Sequence, residues 1–307
     1  MSSLELTGLT GDNPLGMLAA LGILDVLERR SHGTVRLRWT EELVPHAVIS
    51  GADNVEDVLE QVDQDRLCWL ASRVLHWPPP APLTDVKPDP QTLSSWQVEL
   101  AEHVTPQHRE ASDLWSALLA EGAFAGKGDA KPTHLHFTAG QQRFLTMVRE
   151  IATQLTSDDV REALLGPWRW TSPLPSMGWD GSRGERVYAV RGTNPATEKR
   201  LGVPGADWLG FLGLTFLPVA LRGTKLLTTG CTESWKKGTF TWPLWKVPLS
   251  APVTRSLLSR PDLNQLSDEA AGRLGLLGIR RSPIRRTDQG GYGSFGPSTL
   301  LVDAPKS

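Results

Sequence analysis

The clearest hydrophobic pattern lies between Thr10 and Arg30, in TGDNPLGMLAALGILDVLERR. Leu15, Leu18, Leu21, Leu24 and Leu27 recur at three-residue steps, with Asp25 beside Leu24, while Gly16, Ala19, Ala20 and Gly22 keep a second face narrow. This spacing predicts a helix. Asp12 and Asn13 supply its cap, and Pro14 stands in the first turn, where a missing N–H costs least. Glycine inside a helix costs about 1 kcal/mol against alanine, so Gly16 and Gly22 predict close packing of another backbone. The segment reads as a buried helix, with Asn13 at its mouth open to a partner. A second run of the same kind is Pro204 to Leu221, PGADWLGFLGLTFLPVAL, with Gly210 and Gly213 among Trp208, Phe211, Leu212 and Phe216. The two glycine-bearing helices are expected to pack against each other at the centre.

Other segments follow the usual periods. Leu4 to Leu9, Thr34 to Trp39 and Leu43 to Ile49 read as strands, the second alternating Val35, Leu37 and Trp39 against Arg36 and Arg38. An acidic helix starts at Asp53 or Asn54 and continues until Pro78, Pro79, Pro80 and Pro82 stop it. Residues 77–90 form a proline-rich loop. Helical patterns resume at Leu93 to His103 and Ser112 to Glu121. THLHF, Thr133 to Phe137, reads as a short strand, and Thr138 to Leu155 as an amphipathic helix led by Phe144, Met147, Val148 and Ile151. Asp158 to Leu165 reads as a further helix. Strands are expected near Val187 to Val190, at Thr224 to Thr229 and at Gly238 to Val247, and short helices at Thr254 to Leu258 and Ser267 to Leu276. The fold class is therefore α+β, with mixed helices and short antiparallel strands around buried glycine-bearing helices.

Charge changes this picture. The net charge is −2, yet residues 1–160 carry 12 Lys+Arg against 23 Asp+Glu, and residues 161–307 carry 20 against 11. An acidic, mainly helical lobe (1–160) and a basic Trp/Arg-rich α+β lobe (161–307) are expected, or one continuous domain with that polarity. Either the basic half meets phosphate or the halves pair with each other. Twelve Trp against two Tyr suits both cores and interfaces. No apolar run reaches membrane-spanning length and the N-terminus lacks the order of a secretion signal, so a cytoplasmic chain is expected. Cys68 and Cys231 lack ligand spacing and read as structural thiols. No Gly-rich loop follows a strand in a nucleotide-binding pattern, and no cofactor is called for.

Candidate nucleic-acid contacts cluster where cations meet aromatic or glycine-rich chain. Gln141, Gln142 and Arg143 crowd the start of a helix, whose unsatisfied N–H groups suit an anion. The stretch 167–200 mixes Trp168, Trp170 and Trp179 with Arg169, Arg183, Arg186, Arg191, Lys199 and Arg200; arginines contact phosphate and indoles stack on unpaired bases. Half of those indoles are expected in the core. Lys236 and Lys237 fall at a hairpin turn, and Arg280, Arg281, Arg285 and Arg286 in a basic strip or frayed end. The enzymatic alternative, a metal-dependent nuclease or RNA-processing enzyme, rests on His134 and His136, on one side of a strand, with Asp180 in GWDGSRGER. No acidic residue adjoins the histidines, and no hydrolase or nuclease motif is present. Neither a catalytic residue nor a metal site is assigned.

LTGDNPLGMLAALGILDVL, HFTAGQQRFLTMVREI and PGADWLGFLGLTFLPV, the last preceded by the Trp-Arg loop, together resemble a family of type I-G (formerly I-U) CRISPR-associated effector subunits related to the large-subunit proteins of Cascade-like complexes. The resemblance implies a non-enzymatic part of an RNA-guided antiviral complex, whose partners are other effector subunits, guide RNA and target DNA. Cleavage would be left to a separate helicase-nuclease. Within those blocks Asn13, Pro14, Gly16, His136, Gln141, Gln142, Arg143, Trp208 and Phe211 match, and only Gln141, Gln142 and Arg143 make physical sense as nucleic-acid contacts. A protein-only scaffold remains the other alternative.

Overall fold

The computed structural model describes residues 2–31, 35–105, 109–138, 141–184, 201–286 and 293–304. Their strands are β1 (Ser3–Thr10), β2 (Arg36–Trp39), β3 (His46–Ser50), β4 (Val219–Arg222), β5 (Lys225–Thr228), β6 (Thr239–Trp245), β7 (Leu276–Arg286), β8 (Gly293–Phe295) and β9 (Thr299–Asp303). Their helices are α1 (Pro14–Ser31), α2 (Val55–Ala71), α3 (Arg73–His76), α4 (Pro90–His103), α5 (Glu110–Leu118), α6 (Phe144–Gln154), α7 (Ser157–Leu165), α8 (Pro204–Gly213), α9 (Ala251–Leu258) and α10 (Asp268–Arg273). The fold is α+β, with every sheet antiparallel: β1-β3-β2, the pair β4-β5, and a sheet in which β7 pairs with β6 on one side and with β8 and β9 on the other. Among the described residues no helix is long and apolar enough to cross a membrane.

The two glycine-bearing helices, α1 and α8, form the centre. Nearly every residue of α1 from Leu15 to Leu27 is buried, as is all of α8. A Cβ on Gly22 would fall far inside contact distance of the Leu209 carbonyl oxygen, and one on Gly213 would do the same at Leu18. The backbones touch because the side chains are missing, which is what offsets the poor helix propensity of glycine. α8 continues as a single 3-10 turn, Leu214–Phe216, and ends before Pro218, shorter than the apolar run suggests.

Around this pair, one apolar cluster extends from Leu6 to Ala304, and the line at residue 160 passes through it. Ion pairs cross the same line: Arg161 with Glu56, and Arg255 with both Asp25 and Asp113. At the middle of α1, Asp25 and Asp65 share the guanidinium of Arg29. Burial raises the Asp25 pKa despite both arginines, while Asp25 and Asp65 raise that of Arg29 against its own burial.

Several local expectations are corrected. THLHF is not a strand: the chain turns at His134 and Leu135, the His136 N–H donates back to the Thr133 carbonyl at 3.1 Å, and Thr133 to Thr138 are all buried. Gln141, Gln142 and Arg143 are exposed but precede α6 rather than forming its first turn. The acidic helix breaks at Ser72, which recaps α3 through its hydroxyl. The basic strip 280–286 is neither a wrapping arm nor a frayed end, because it forms β7 between two partners. The strand expected near Val187 to Val190 lies outside the described residues.

Candidate nucleic-acid interface

β1 runs directly into α1, and the junction is held by side chains from distant parts of the chain. The Asn13 carboxamide oxygen accepts from the N–H groups of Leu15 (3.1 Å) and Gly181 (3.2 Å), so the capping residue also anchors the GWDGSRG loop. Its amide donates to Asp180 Oδ1 at 2.9 Å. Asp180 is 8% exposed and accepts in addition from the Ser182 N–H (2.9 Å), the Ser182 hydroxyl (2.7 Å) and the Trp170 indole N–H (2.7 Å). Four donors on one carboxylate make a structural hub. Any general-base role for Asp180 would have to break them.

Trp170 has φ of 53°, a left-handed conformation that side chains rarely adopt. Its bond to Asp180 holds it there. Trp168 is fixed through its indole N–H on the Ala163 carbonyl at 3.0 Å, and the two rings meet edge to face at 6.5 Å. The segment before β9 and strand β7 complete the wall: Ser298 donates to the Asp12 carbonyl at 2.5 Å and accepts from Arg280 Nη1 at 3.2 Å. These elements enclose an open cavity of about 600 Å³, lined by Thr7, Thr10, Asp12, Val44, Trp168, Trp170, Ser182, Arg280 and Ser298, among others. Arg280 is half-buried, and among the described residues its buried Nε has no hydrogen-bond partner and no carboxylate lies within ion-pair distance. A guanidinium is charged at any accessible pH, so this position is suited to an incoming anion.

The other predicted contacts divide. Lys236 and Lys237 are exposed at the tip joining Cys231 to Phe240, as a hairpin turn requires. Arg143 is exposed, with Nη1 on the Gln142 carbonyl at 3.1 Å. Arg169 is exposed but chelated by Glu162, Nε donating at 2.8 Å. Arg281 bonds Asn264 at 3.0 Å and Thr241 at 3.3 Å, and Arg285 is exposed on β7. Arg183 falls in the 3-10 turn Gly181–Gly184. Arg186, Arg191, Lys199 and Arg200 lie outside the described residues.

Arg286 is corrected as a surface phosphate contact. It donates to the carbonyls of His134 (2.7 Å) and His136 (3.2 Å) and lies 3.7 Å from the Trp235 ring centre. Burial pulls its pKa down to about 10. The histidines beneath it part ways: His134 Nδ1 meets the Thr228 hydroxyl at 2.9 Å, whereas His136 Nε2 meets Asp85 at 2.6 Å. Burial lowers the pKa of both, that of His134 to about 4 with Arg286 adding to the effect. Among the described residues the only group of three His, Cys, Asp or Glu side chains close enough to share a metal is Glu5, Glu42 and His46, at the surface and away from His134, His136 and Asp180.

This arrangement has a pH consequence. A histidine that titrates near 6.5 unfolded and near 4 folded leaves the native state neutral while the unfolded chain takes up a proton. Stability from His134 is therefore complete above pH 6.5 and declines as pH falls toward 4, by roughly 3 kcal/mol at most. Urea unfolding at pH 7 and pH 5 should register the loss, and a His134→Gln variant should show a shallower decline.

Sequence reasoning reached Asn13, Asp180, Trp168, Trp170 and Arg280 separately, and the fold brings them to one place. It missed Thr7, Val44 and Ser298, which carry no local signal. Compared with protein-family models and with curated proteins, the chain gives no match in either case.

Proposed function

We propose that the chain is a non-catalytic subunit of a type I CRISPR RNA-guided surveillance complex, holding guide RNA or target DNA and helping target recognition. The observation that carries this reading is the cavity at the mouth of α1, where two fixed indoles share one wall with a guanidinium that, among the described residues, has no carboxylate in ion-pair distance. Cations supply affinity for the phosphate backbone, and aromatic faces accept unpaired bases of any sequence. The resemblance of the three sequence blocks supports the choice of complex. With a net charge of −2, the isolated chain has little long-range attraction for nucleic acid, so stable binding belongs to the assembled particle.

The nuclease alternative draws on His134, His136 and Asp180, whose separate buried partners are an argument against one shared reaction centre. The scaffold alternative predicts that Arg280 tolerates loss of charge. Arg286 is unsuitable for that comparison, because charge reversal there would break the packing of Trp235 and two carbonyl bonds.

Affinity purification of the tagged chain from cells expressing its genomic neighbours tests the reading. Recovery of repeat-derived RNA together with other effector subunits is the expected result. A chain recovered alone and free of nucleic acid overturns it.

A further inference from the structure

The α1 cavity has a size and chemistry that narrow its ligand. Its volume of about 600 Å³ falls within the range of sites for small molecules or single residues, and a stacked duplex cannot enter it. Trp168 and Trp170 cannot turn their polar edges to a ligand, since each indole N–H is already bonded to the Ala163 carbonyl or to Asp180. Both residues line the cavity, their rings edge to face. Arg280 supplies one positive charge, held in place by Ser298 and lacking a carboxylate partner among the described residues. Asp12 lies in the same lining and repels a ligand carrying several negative charges, while offering an acceptor to an amino group. A flat π-system, one negative charge and polar edge groups together describe a nucleotide within a phosphodiester chain.

We propose that this cavity takes one unstacked nucleotide of a nucleic-acid strand, its base against the indoles of Trp168 and Trp170 and its phosphate on Arg280. The proposal rests on the nucleic-acid reading above and adds what that reading leaves open, namely where on the chain a strand is gripped and in what form. Engagement would require a base to leave its neighbours, so single-stranded segments are preferred over duplex.

The test uses the full chain, alone and in its purified complex, with a fluorescein-labelled single-stranded oligonucleotide titrated at several salt concentrations. Two variants act independently: Arg280→Gln removes the charge, and Val44→Trp, at a position 40% exposed on the rim, fills the cavity without touching a charge. Both should melt like the parent. Each is expected to bind roughly tenfold more weakly, and Arg280→Gln to lower the slope of log affinity against log salt by about 0.7, the value of one phosphate contact on a single strand. Parental affinity and slope in both variants, with the parent binding normally, overturn the cavity assignment and leave the nucleic-acid reading intact. Absence of strand binding by the parent, alone and in the complex, overturns the reading and the assignment together. Adenosine monophosphate binding as tightly as the strand overturns the strand as the source of the nucleotide.

Discussion

Replacing Gly22 or Gly213 by alanine should destabilise the protein by about 3 kcal/mol or more, although the same change in an ordinary helix stabilises by about 1 kcal/mol. The sign inverts because of the neighbour. A methyl group on Gly22 would overlap the Leu209 carbonyl oxygen, and one on Gly213 that of Leu18; both obstacles are backbone, so no side chain can swing aside. Relief comes only by separating α1 from α8, which opens an interface whose residues are buried along all of α8 and along α1 from Leu15 to Leu27. Gly126 is the control: a Cβ there meets nothing within 4 Å, and Gly126→Ala should leave the melting temperature within about a degree. Thermal and urea unfolding of the three variants decides the matter. A neutral Gly22→Ala would mean that the two helices are not in backbone contact.

The second large effect belongs to Arg29. Its guanidinium lies between Asp25 and Asp65, which are 6% and 1% exposed, and its removal leaves two carboxylates in the core, of which Asp25 keeps Arg255 as a partner. Breaking a buried pair from one side costs about 3–5 kcal/mol, so Arg29→Met should come close to unfolding the chain. The loss should depend on pH. Burial raises the Asp25 pKa above 3.8, so the native state holds its proton more tightly than the unfolded chain does, and Asp25 weakens the fold as pH climbs through and beyond that value. Without Arg29 this opposition grows, and Arg29→Met should be relatively more stable at pH 4 than at pH 7. Adding Asp25→Asn should recover part of the loss at pH 7. Unfolding free energies of the single and double variants at both pH values check this, and additive effects would show that the two groups do not interact.

Much of the architecture was legible because it was written in local patterns. Pro14 and Asn13 place the start of α1, the glycines announce its contact with α8, and of the two caps offered for α2, Asp53 and Asn54, it is Asn54 that accepts from the Asp57 N–H. What stayed hidden depends on distant partners. Thr133 to Phe137 alternate like a strand, yet every one is buried and their backbone groups bond to Leu118, to Thr228 and to each other, so no ladder forms. In β7, Pro283 and two arginine pairs argue against an interior strand, and only the partners on both sides explain it. Two-residue alternation then sets Arg280 and Arg286 on the face of buried Ser282 and Ile284, with Arg281 and Arg285 on the other, a division that a run of cations conceals. The cavity was legible only in fragments. Asn13, Asp180 and Arg280 are far apart in sequence, and the bonds that join them through Gly181 and Ser298 have no counterpart in composition or spacing.

The mouth of α1 is proposed as the place where this chain meets nucleic acid. The most direct measurement is photocrosslinking of the affinity-purified complex, with the crosslinked peptides mapped by mass spectrometry. Nucleotide adducts are expected on peptides containing Trp168, Trp170 or Arg280. Adducts confined to other surfaces, such as the Lys236–Lys237 tip or the segment at Arg143, would contradict it.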